Sequence, residues 1–532
     1  LKEKLRDTLS HLFGDFDYIA VLNICWARYI LGDDWFNNYS VWGCFDDGIE
    51  HYIKCAKVIN DYMKTKNFDP PDGFKYFESA TLVGYRNPPF PGFNIMNEGK
   101  DLANGGNERH IPPDWNLEEL YKEALTVKVD YIPYISFKDY VLNTEWLTTG
   151  SSSIGRLLFK TGDGKLHKLK CRKNFVPDVV DLNQLYENAK QNKEQVNYTI
   201  LKSELGKIRL AVASDMYTYL TMSWVNYFLN SCYKTWPGGT LEETTNEQTD
   251  RMIEMLSLAS NKYGVPFDYA AFDHQPSTDE IVYMVKILIE LARHNIPTDK
   301  MEEYNEITTN IILSFSNSSL EVRDGDKTST YKVTGGLMSG LRWTSVIGNA
   351  WNTVMTYTVL KMLKEAGASM DGVIRYIRGD DSAIYTDNWG QAAAIVKGYE
   401  RIGVVGGEGK FSILDRAMEF LRVRYKDGKC SGYIMRAIPG LVQRKPWSSQ
   451  QWDEAMVLRA LRDVCGTIKR RGGEIDKVWQ SLSTVWCRLH RLPVAAMNVP
   501  VAMGGLGVLP WDGKSRLSTK IPRVERPLMI FE

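Results

Sequence analysis

From Val373 to Thr386 the chain reads VIRYIRGDDSAIYT, two β-rich runs (Val373–Arg378 and Ser382–Thr386) around Gly379-Asp380-Asp381. Such runs, interrupted by a glycine and two acids, fold as a hairpin with an acidic turn. The rest of the chain must then supply neighbours for that hairpin and a layer to cover its apolar face. It does so in order along the sequence. Val265–Phe272 reads as a strand entering a loop, and Asp279–Arg293 carries apolar residues at helical spacing. The loop TGGLMSG, from Thr334 to Gly340, precedes a second helical pattern over Val346–Leu363, and a third covers Trp389–Ile402. This succession predicts an α+β fold with one small antiparallel sheet that carries acidic loops and is backed by helices.

A chain of 532 residues exceeds one ordinary core and implies two or three packed subdomains. No stretch approaches the ~18 consecutive apolar residues of a membrane span. Leu1–Phe13 is amphipathic and does not read as a signal peptide; without an initiator Met, the chain is open to being a trimmed or excised piece of something longer. The eight cysteines form no zinc-spaced cluster, so reduced thiols are expected. Lys+Arg and Asp+Glu balance at 65 each, so only segregated charge can serve a polyanion. Basic clusters stand at Lys165–Lys173, at Lys207 and Arg209, and at Lys469–Arg471. The Pro-, Gly- and Asn-rich stretch from Pro88 to Pro113 reads as a long connector.

Gly-Asp-Asp alone says little, since it arises by chance in about one chain in ten of this length. A second copy, Gly32-Asp33-Asp34, lies in the helix-like WARYILGDDWF, reads as a helix-end acidic turn, and serves as an internal decoy. What distinguishes Asp380 and Asp381 is their company. DYAAFD upstream carries Asp268 and Asp273, KSELGKIR carries Lys202, Lys207 and Arg209, and GGEGKF downstream carries Lys410. Carboxylates converging from separate loops suit Mg²⁺, a hard cation that prefers oxygen. Two such ions serve nucleotidyl transfer, one lowering the pKa of an attacking hydroxyl and the other holding a triphosphate.

In this order the segments resemble motifs A (DYAAFD), B (the Ser-Gly loop and its helix), C (RGDDS) and D (Lys410) of viral RNA-dependent RNA polymerases. KSELGKIR is similar to motif F, and EFLRVRY followed by GYIMRAIPGLV resembles the motif E region of double-stranded RNA virus enzymes. The resemblance runs from about Lys202 to Val442, under half the chain. SGLRWT together with RGDDS looks like the double-stranded RNA viruses, picobirnavirus-like enzymes first, totivirus and partitivirus polymerases next.

The resemblance implies a right-hand polymerase of fingers, palm and thumb, closed and encircled. Residues 1–145 would bridge fingers and thumb, 146–440 would interleave fingers and palm (palm motifs about 262–442), and 441–532 would form the thumb and tail. Asp268 and Asp380 would share two Mg²⁺ ions, with Mn²⁺ able to substitute, and Asp381 would be an outer ligand. Asp273 would sense the ribose 2′-hydroxyl. Ser339, Gly340 and Thr344 match Ser-Gly-x-x-x-Thr and would contact ribose or template. Many families place Asn four residues after that Thr; here Gly348 stands there and Asn349 follows, a candidate only if the helix is rotated or bulged. Lys207 and Arg209 would meet the incoming triphosphate, although their alternation with Ile208 and Leu210 also suits a half-exposed strand with no ligand. Lys410 would protonate the departing pyrophosphate. Lys202, Arg172 and Arg436 would bind RNA, and Thr148, Gly150 and Ser151–Ser153 either grip template or form a plain turn.

The partners so implied are single-stranded RNA template, double-stranded RNA product, nucleoside triphosphates and a viral capsid protein, with no membrane. The location implied is the virion interior and host cytoplasm, and the tail suggests primer-independent initiation. A reverse transcriptase, an RNA-binding structural protein and a metal-dependent nuclease are the competing readings. Asp273 speaks against the first, the intact acids against the second, and the upstream Lys/Arg pair against the third.

Overall fold

The computed structural model describes residues 2–65, 73–90, 92–160, 162, 164–409, 412–448 and 451–511. Two compact units divide the chain. One comprises 1–57, 72–85 and 433–532, the other 58–71 and 86–432. The first unit draws on both ends of the chain.

The larger unit contains all thirteen strands of the described residues. In chain order they are β1 (Ser151–Lys160), β2 (Leu166–Arg172), β3 (Gln195–Glu204), β4 (Lys207–Ser214), β5 (Tyr263–Val265), β6 (Ser318–Asp324) and β7 (Lys327–Lys332). There follow β8 (Ile374–Arg378), β9 (Asp381–Thr386), β10 (Leu414–Asp415), β11 (Ala417–Phe420), β12 (Val423–Lys426) and β13 (Lys429–Gly432). The central sheet has the order β10-β5-β9-β8 and is antiparallel throughout. A second sheet, β4-β3-β6-β7, contains one parallel pair, β3 with β6; β1-β2 and β11-β12-β13 are separate antiparallel ribbons.

β5 is shorter than the sequence suggested. It stops at Val265 because Pro266 has no N–H to donate to a ladder. Beyond it the chain is held as a loop, with Ala270 N–H donating to Val405 O at 3.0 Å and Gly407 N–H to Asp268 O at 2.7 Å. The Pro88–Pro113 stretch is not wholly a connector. It contains a helix, Ile95–Ala103, started by the Asn94 side chain accepting from Asn97 N–H and anchored by buried Ile95, Leu102 and Ala103.

The helix Thr344–Glu365 is buried on nearly all sides from Val346 to Thr356. A helix enclosed like this lies inside the core rather than against it. Its buried threonines Thr353, Thr356 and Thr358 satisfy their hydroxyls on carbonyls one turn back. In front of it the helix Thr278–Arg293 begins with a capping box between Ser277 and Glu280.

Glu280 does more than cap. Its carboxylate pairs with Arg109 at 2.9 Å, both side chains being at most 2% exposed, and accepts from Tyr121 Oη at 2.8 Å and Trp351 Nε1 at 3.3 Å. Arg109 also donates to Gly403 O at 2.6 Å and Gln275 O at 2.7 Å. One buried ion pair thus ties together the start of the unit, the loop after β5, two helices and the turn after the helix Trp389–Arg401.

The smaller unit is helical, and it accounts for the decoy. Gly32, at φ +98°, separates the helices Tyr18–Leu31 and Asp33–Val41. Asp33 pairs with Lys4 at 3.0 Å and Arg28 at 2.9 Å, and those hydrogen bonds hold its carboxyl below the usual range. All eight cysteines are free. Among the described residues no helix is long and apolar enough to cross a membrane.

Removing one partner of a buried pair strands the other charge. Glu280→Ala is expected to lower unfolding free energy by about 3–5 kcal/mol, and Asp33→Asn by under about 1 kcal/mol. Urea denaturation of the two variants checks the contrast; equal losses would contradict the role given to Glu280.

Candidate active site

Carboxylates, a guanidinium and hydroxyls meet in a cleft of about 560 Å³ whose lining includes Asp268, Asp273, Arg209, Ser339, Thr344 and Asp380. Each comes from a segment whose local shape follows from its residues. Gly379 and Asp380 form the two-residue loop between β8 and β9, with Arg378 paired to Asp381. Gly379 sits at φ +59° with open space where a Cβ would be, so the demand for glycine there is conformational. Asp268 and Asp273 flank a bend in which Ala271 takes φ +44°. The Gln275 amide clamps that bend, donating to Ala270 O at 2.6 Å and Val405 O at 2.9 Å and accepting from Val405 N–H at 3.0 Å.

The glycine-serine loop lies against β4. Ser339 Oγ accepts from Val212 N–H at 2.9 Å, and a Cβ on Gly340 would collide with the Val212 carbonyl and Ala213 Cα. Thr344 closes the loop by sharing its hydroxyl between Met338 O (2.8 Å) and Leu341 O (2.9 Å). Leu337 N–H donates to Asp273 O at 2.7 Å, so this loop and the Asp273 segment are joined through backbone.

Gly348, Ser345 and Thr344 face the cleft; Asn349 does not. The helix is regular α from Thr344 onward, so one residue's advance rotates Asn349 by about 100° away from that face. Asn349 is wholly buried, and its Oδ1 accepts from Gly379 N–H at 3.2 Å. It supports the acidic turn from beneath, and the helix is continuous, without the rotation or bulge on which a contact of Asn349 with the nucleotide depends.

The cations are distributed unevenly. On the β3-β4 hairpin, Glu204 draws in Lys202 (3.2 Å), Arg209 (3.4 Å) and Lys207 (3.7 Å). Of the three, Arg209 lines the cleft. Exposed pairs of this kind contribute little, so a phosphate can take Arg209 at small cost. Arg172 is exposed at the end of β2, away from the cleft lining. Arg436 belongs to the smaller unit and pairs with Glu78 at 3.0 Å. Ser152 and Ser153 are engaged locally, Ser152 donating to Cys171 O and Ser153 accepting from Met216 N–H. Lys410 lies outside the described residues.

Crowded acids resist ionisation. Loss of solvent, then the charge of Asp380, push Asp273 up to about 6, against the opposing pull of Arg209. Asp381 rises to about 7, first from the protein packed around it, then from Asp380 and Glu419. Sequence reasoning missed Gln275 and the part of the cleft wall given by Phe93, Glu98 and Phe272. For Glu98 the signal was the Asn94 cap; for Gln275 there was none, since its role rests on a contact across 130 residues.

The family model described as viral RNA-directed RNA-polymerase matches residues 120–444. The chain therefore belongs to the family of viral RNA-directed RNA polymerases, which are nucleotidyltransferases. It is 24% identical over 411 residues to the probable RNA-directed RNA polymerase of Giardia lamblia virus (isolate Wang), covering 70% of this chain and 20% of that protein. The chain thus spans about a fifth of the length of that relative. The crystal structure of the RNA-dependent RNA polymerase of a human picobirnavirus aligns with 12% identity and a TM-score of 0.44, covering 78% of this chain and 91% of that one.

A carboxyl raised by folding binds protons in the native chain that it releases on unfolding, so it removes stability as pH rises from the ordinary carboxylate range through its folded value. For Asp381 that window ends near 7. In EDTA, Asp381→Asn is expected to flatten the fall in melting temperature across that window relative to wild type. Parallel curves would contradict the crowding described here.

Proposed function

We propose that this chain copies RNA by adding ribonucleotides to a growing strand in the cleft between Asp268, Asp273 and Asp380. The observation that carries the reading is the meeting, in one cleft, of acids from two separate loops with Arg209 and the Ser339–Thr344 segment. A nuclease has no need of Arg209 and the Ser-Gly loop opposite the acids.

Among the described residues no three His, Cys, Asp or Glu side chains are gathered closely enough to hold a metal ion by themselves. Mg²⁺ is commonly bound through only one or two carboxylates and completed by water and substrate phosphate, and the acids of the cleft would supply those carboxylates. Loss of solvent first, and then the negative charge of Asp380, raise the carboxyls of Asp381 and Asp273, and a divalent cation would offset the second of these. Asp268 and Asp380 would hold the ions, with Asp381 beside them and Mn²⁺ able to replace Mg²⁺. Bound there, the ions would supply charge stabilisation and a more acidic 3′-hydroxyl.

The chain's own residues do the rest. Arg209 orients the triphosphate by paired N–H donors, and Lys207 adds charge nearby. Asp273 accepts from the ribose 2′-hydroxyl, and a deoxynucleotide leaves that acid unpaired. Ser339, Gly340 and Thr344 form the wall along sugar and template, and Lys410 protonates pyrophosphate as it leaves. Lys202, Arg172 and Arg436 contact RNA phosphates. The β10-β5-β9-β8 sheet is the palm, the β3-β4 hairpin belongs to the fingers, and residues 441–532 are the thumb and tail. The template is single-stranded RNA of a double-stranded RNA virus and the product is duplex. Initiation needs no primer, a capsid protein accompanies the polymerase, and it works in the virion and host cytoplasm.

With single-stranded RNA, labelled ribonucleotides and Mg²⁺, wild type is expected to make template-length product. Asp380→Asn should reduce it at least about a thousandfold, as loss of charge stabilisation at a reacting centre does, while Asp33→Asn stays near wild type. Synthesis that survives Asp380→Asn would overturn the assignment. Asp273→Ala is expected to erode preference for ribonucleotides over deoxynucleotides by about tenfold or more, consistent with one lost hydroxyl-recognising hydrogen bond; an unchanged ratio would remove Asp273 from sugar selection.

A further inference from the structure

The amide of Asn352, one turn beyond Asn349 on the same helix face, touches both acidic segments while lining no part of the cleft. Its Oδ1 accepts from Tyr269 Oη at 2.7 Å and from Ser382 Oγ at 2.9 Å. Its Nδ2 donates to Gly379 O at 2.9 Å, with a longer approach to Asp381 O at 3.5 Å. Tyr269 follows Asp268 in sequence, Ser382 follows Asp381, and Gly379 precedes Asp380. Asn352, Tyr269 and Ser382 are all buried.

We infer that Asn352 is the positioning residue that sets the spacing between the Asp268 and Asp380 segments, and through that spacing the affinity for divalent metal. The inference rests on the assignment of metal to those acids. An amide suits the task because it supplies both acceptor and donor without charge. A carboxylate there could not donate to Gly379 O and would add a further negative charge beside crowded acids. An aliphatic side chain would remove the acceptor that Tyr269 and Ser382 share and the donor to Gly379 O. Asn349 holds the Gly379 N–H from the same face, so the turn is gripped by its N–H and C=O from two successive rungs of one helix. Neither amide reaches the cleft, so the effect on metal is indirect, as in other outer-shell supports.

The experiment measures Mn²⁺ binding to the full chain by the free-ion EPR signal, beside the melting temperature in EDTA and the Mg²⁺ dependence of RNA synthesis. Asn352→Ala is expected to weaken Mn²⁺ binding by about 10- to 100-fold. It should raise the Mg²⁺ concentration for half-maximal synthesis and lower kcat, with KM for nucleotide much less affected. Tyr269→Phe and Ser382→Ala each remove one bond to the same oxygen; each should weaken Mn²⁺ binding less, and their double variant should be non-additive. These two milder changes decide the matter if Asn352→Ala does not fold. Asn310→Ala removes another buried asparagine, whose Nδ2 donates to Lys190 O at 3.0 Å, and should lower melting temperature without altering Mn²⁺ affinity. Wild-type Mn²⁺ binding in Asn352→Ala, or in the Tyr269 and Ser382 variants, would overturn the inference alone, provided Asp380→Asn still loses metal. Unchanged binding in Asp380→Asn would overturn the metal assignment beneath it.

Discussion

Behind the acidic cleft, a guanidinium and a carboxylate sit almost wholly out of water, and much of the larger unit is arranged around satisfying them. Arg109 reaches Gln275 and Gly403 while Glu280 holds Tyr121, Trp351 and the start of its own helix. Desolvating two charges is unfavourable unless nearly every donor and acceptor is used. Each guanidinium nitrogen of Arg109 and both oxygens of Glu280 have a partner, and the geometry propagates forward. Gln275, whose carbonyl Arg109 fixes, uses its side-chain amide to lock the bend between Asp268 and Asp273. A buried pair that is a poor source of net stability therefore defines where a loop of acids must stand.

The acids themselves cannot provide that order, since each repels the next. Loss of solvent around the carboxyl and the charge of Asp380 push both Asp273 and Asp381 upward. The turn at Gly379–Asp380 is held instead by neutral groups, two asparagines reaching up from a helix enclosed in the core. This division, with charge at the front and uncharged amides behind, sets the carboxylates of Asp268, Asp273 and Asp380 along the cleft. It also places them beside Arg209, whose partner Glu204 binds it only at an exposed hairpin.

Much of this was legible beforehand, and the misses share a cause. The hairpin around Asp380 and the helices near 279–293 and 346–363 followed from local period and turn chemistry, whereas the two Gly-Asp-Asp copies were separable only by the ordered segments around the second. Lys4 and Arg28 at Asp33 account for the decoy in terms of helix-end charge. The strand ends at Val265 because Pro266 cannot donate to the ladder, and the helix Ile95–Ala103 is hidden among prolines and glycines. A single residue's shift turns a helix by about 100°, which sets Gly348 on the cleft and Asn349 in the core. Gln275, Arg109 and Asn352 were invisible, as their meaning depends on partners far away in sequence.

The most direct measurement is a crystal structure of the chain with RNA, a non-hydrolysable ribonucleotide and Mn²⁺, located by anomalous scattering. The account predicts Mn²⁺ between Asp268 and Asp380, the triphosphate against Arg209 and the 2′-hydroxyl beside Asp273. Anomalous peaks away from those two aspartates, with the nucleotide bound elsewhere, would contradict it.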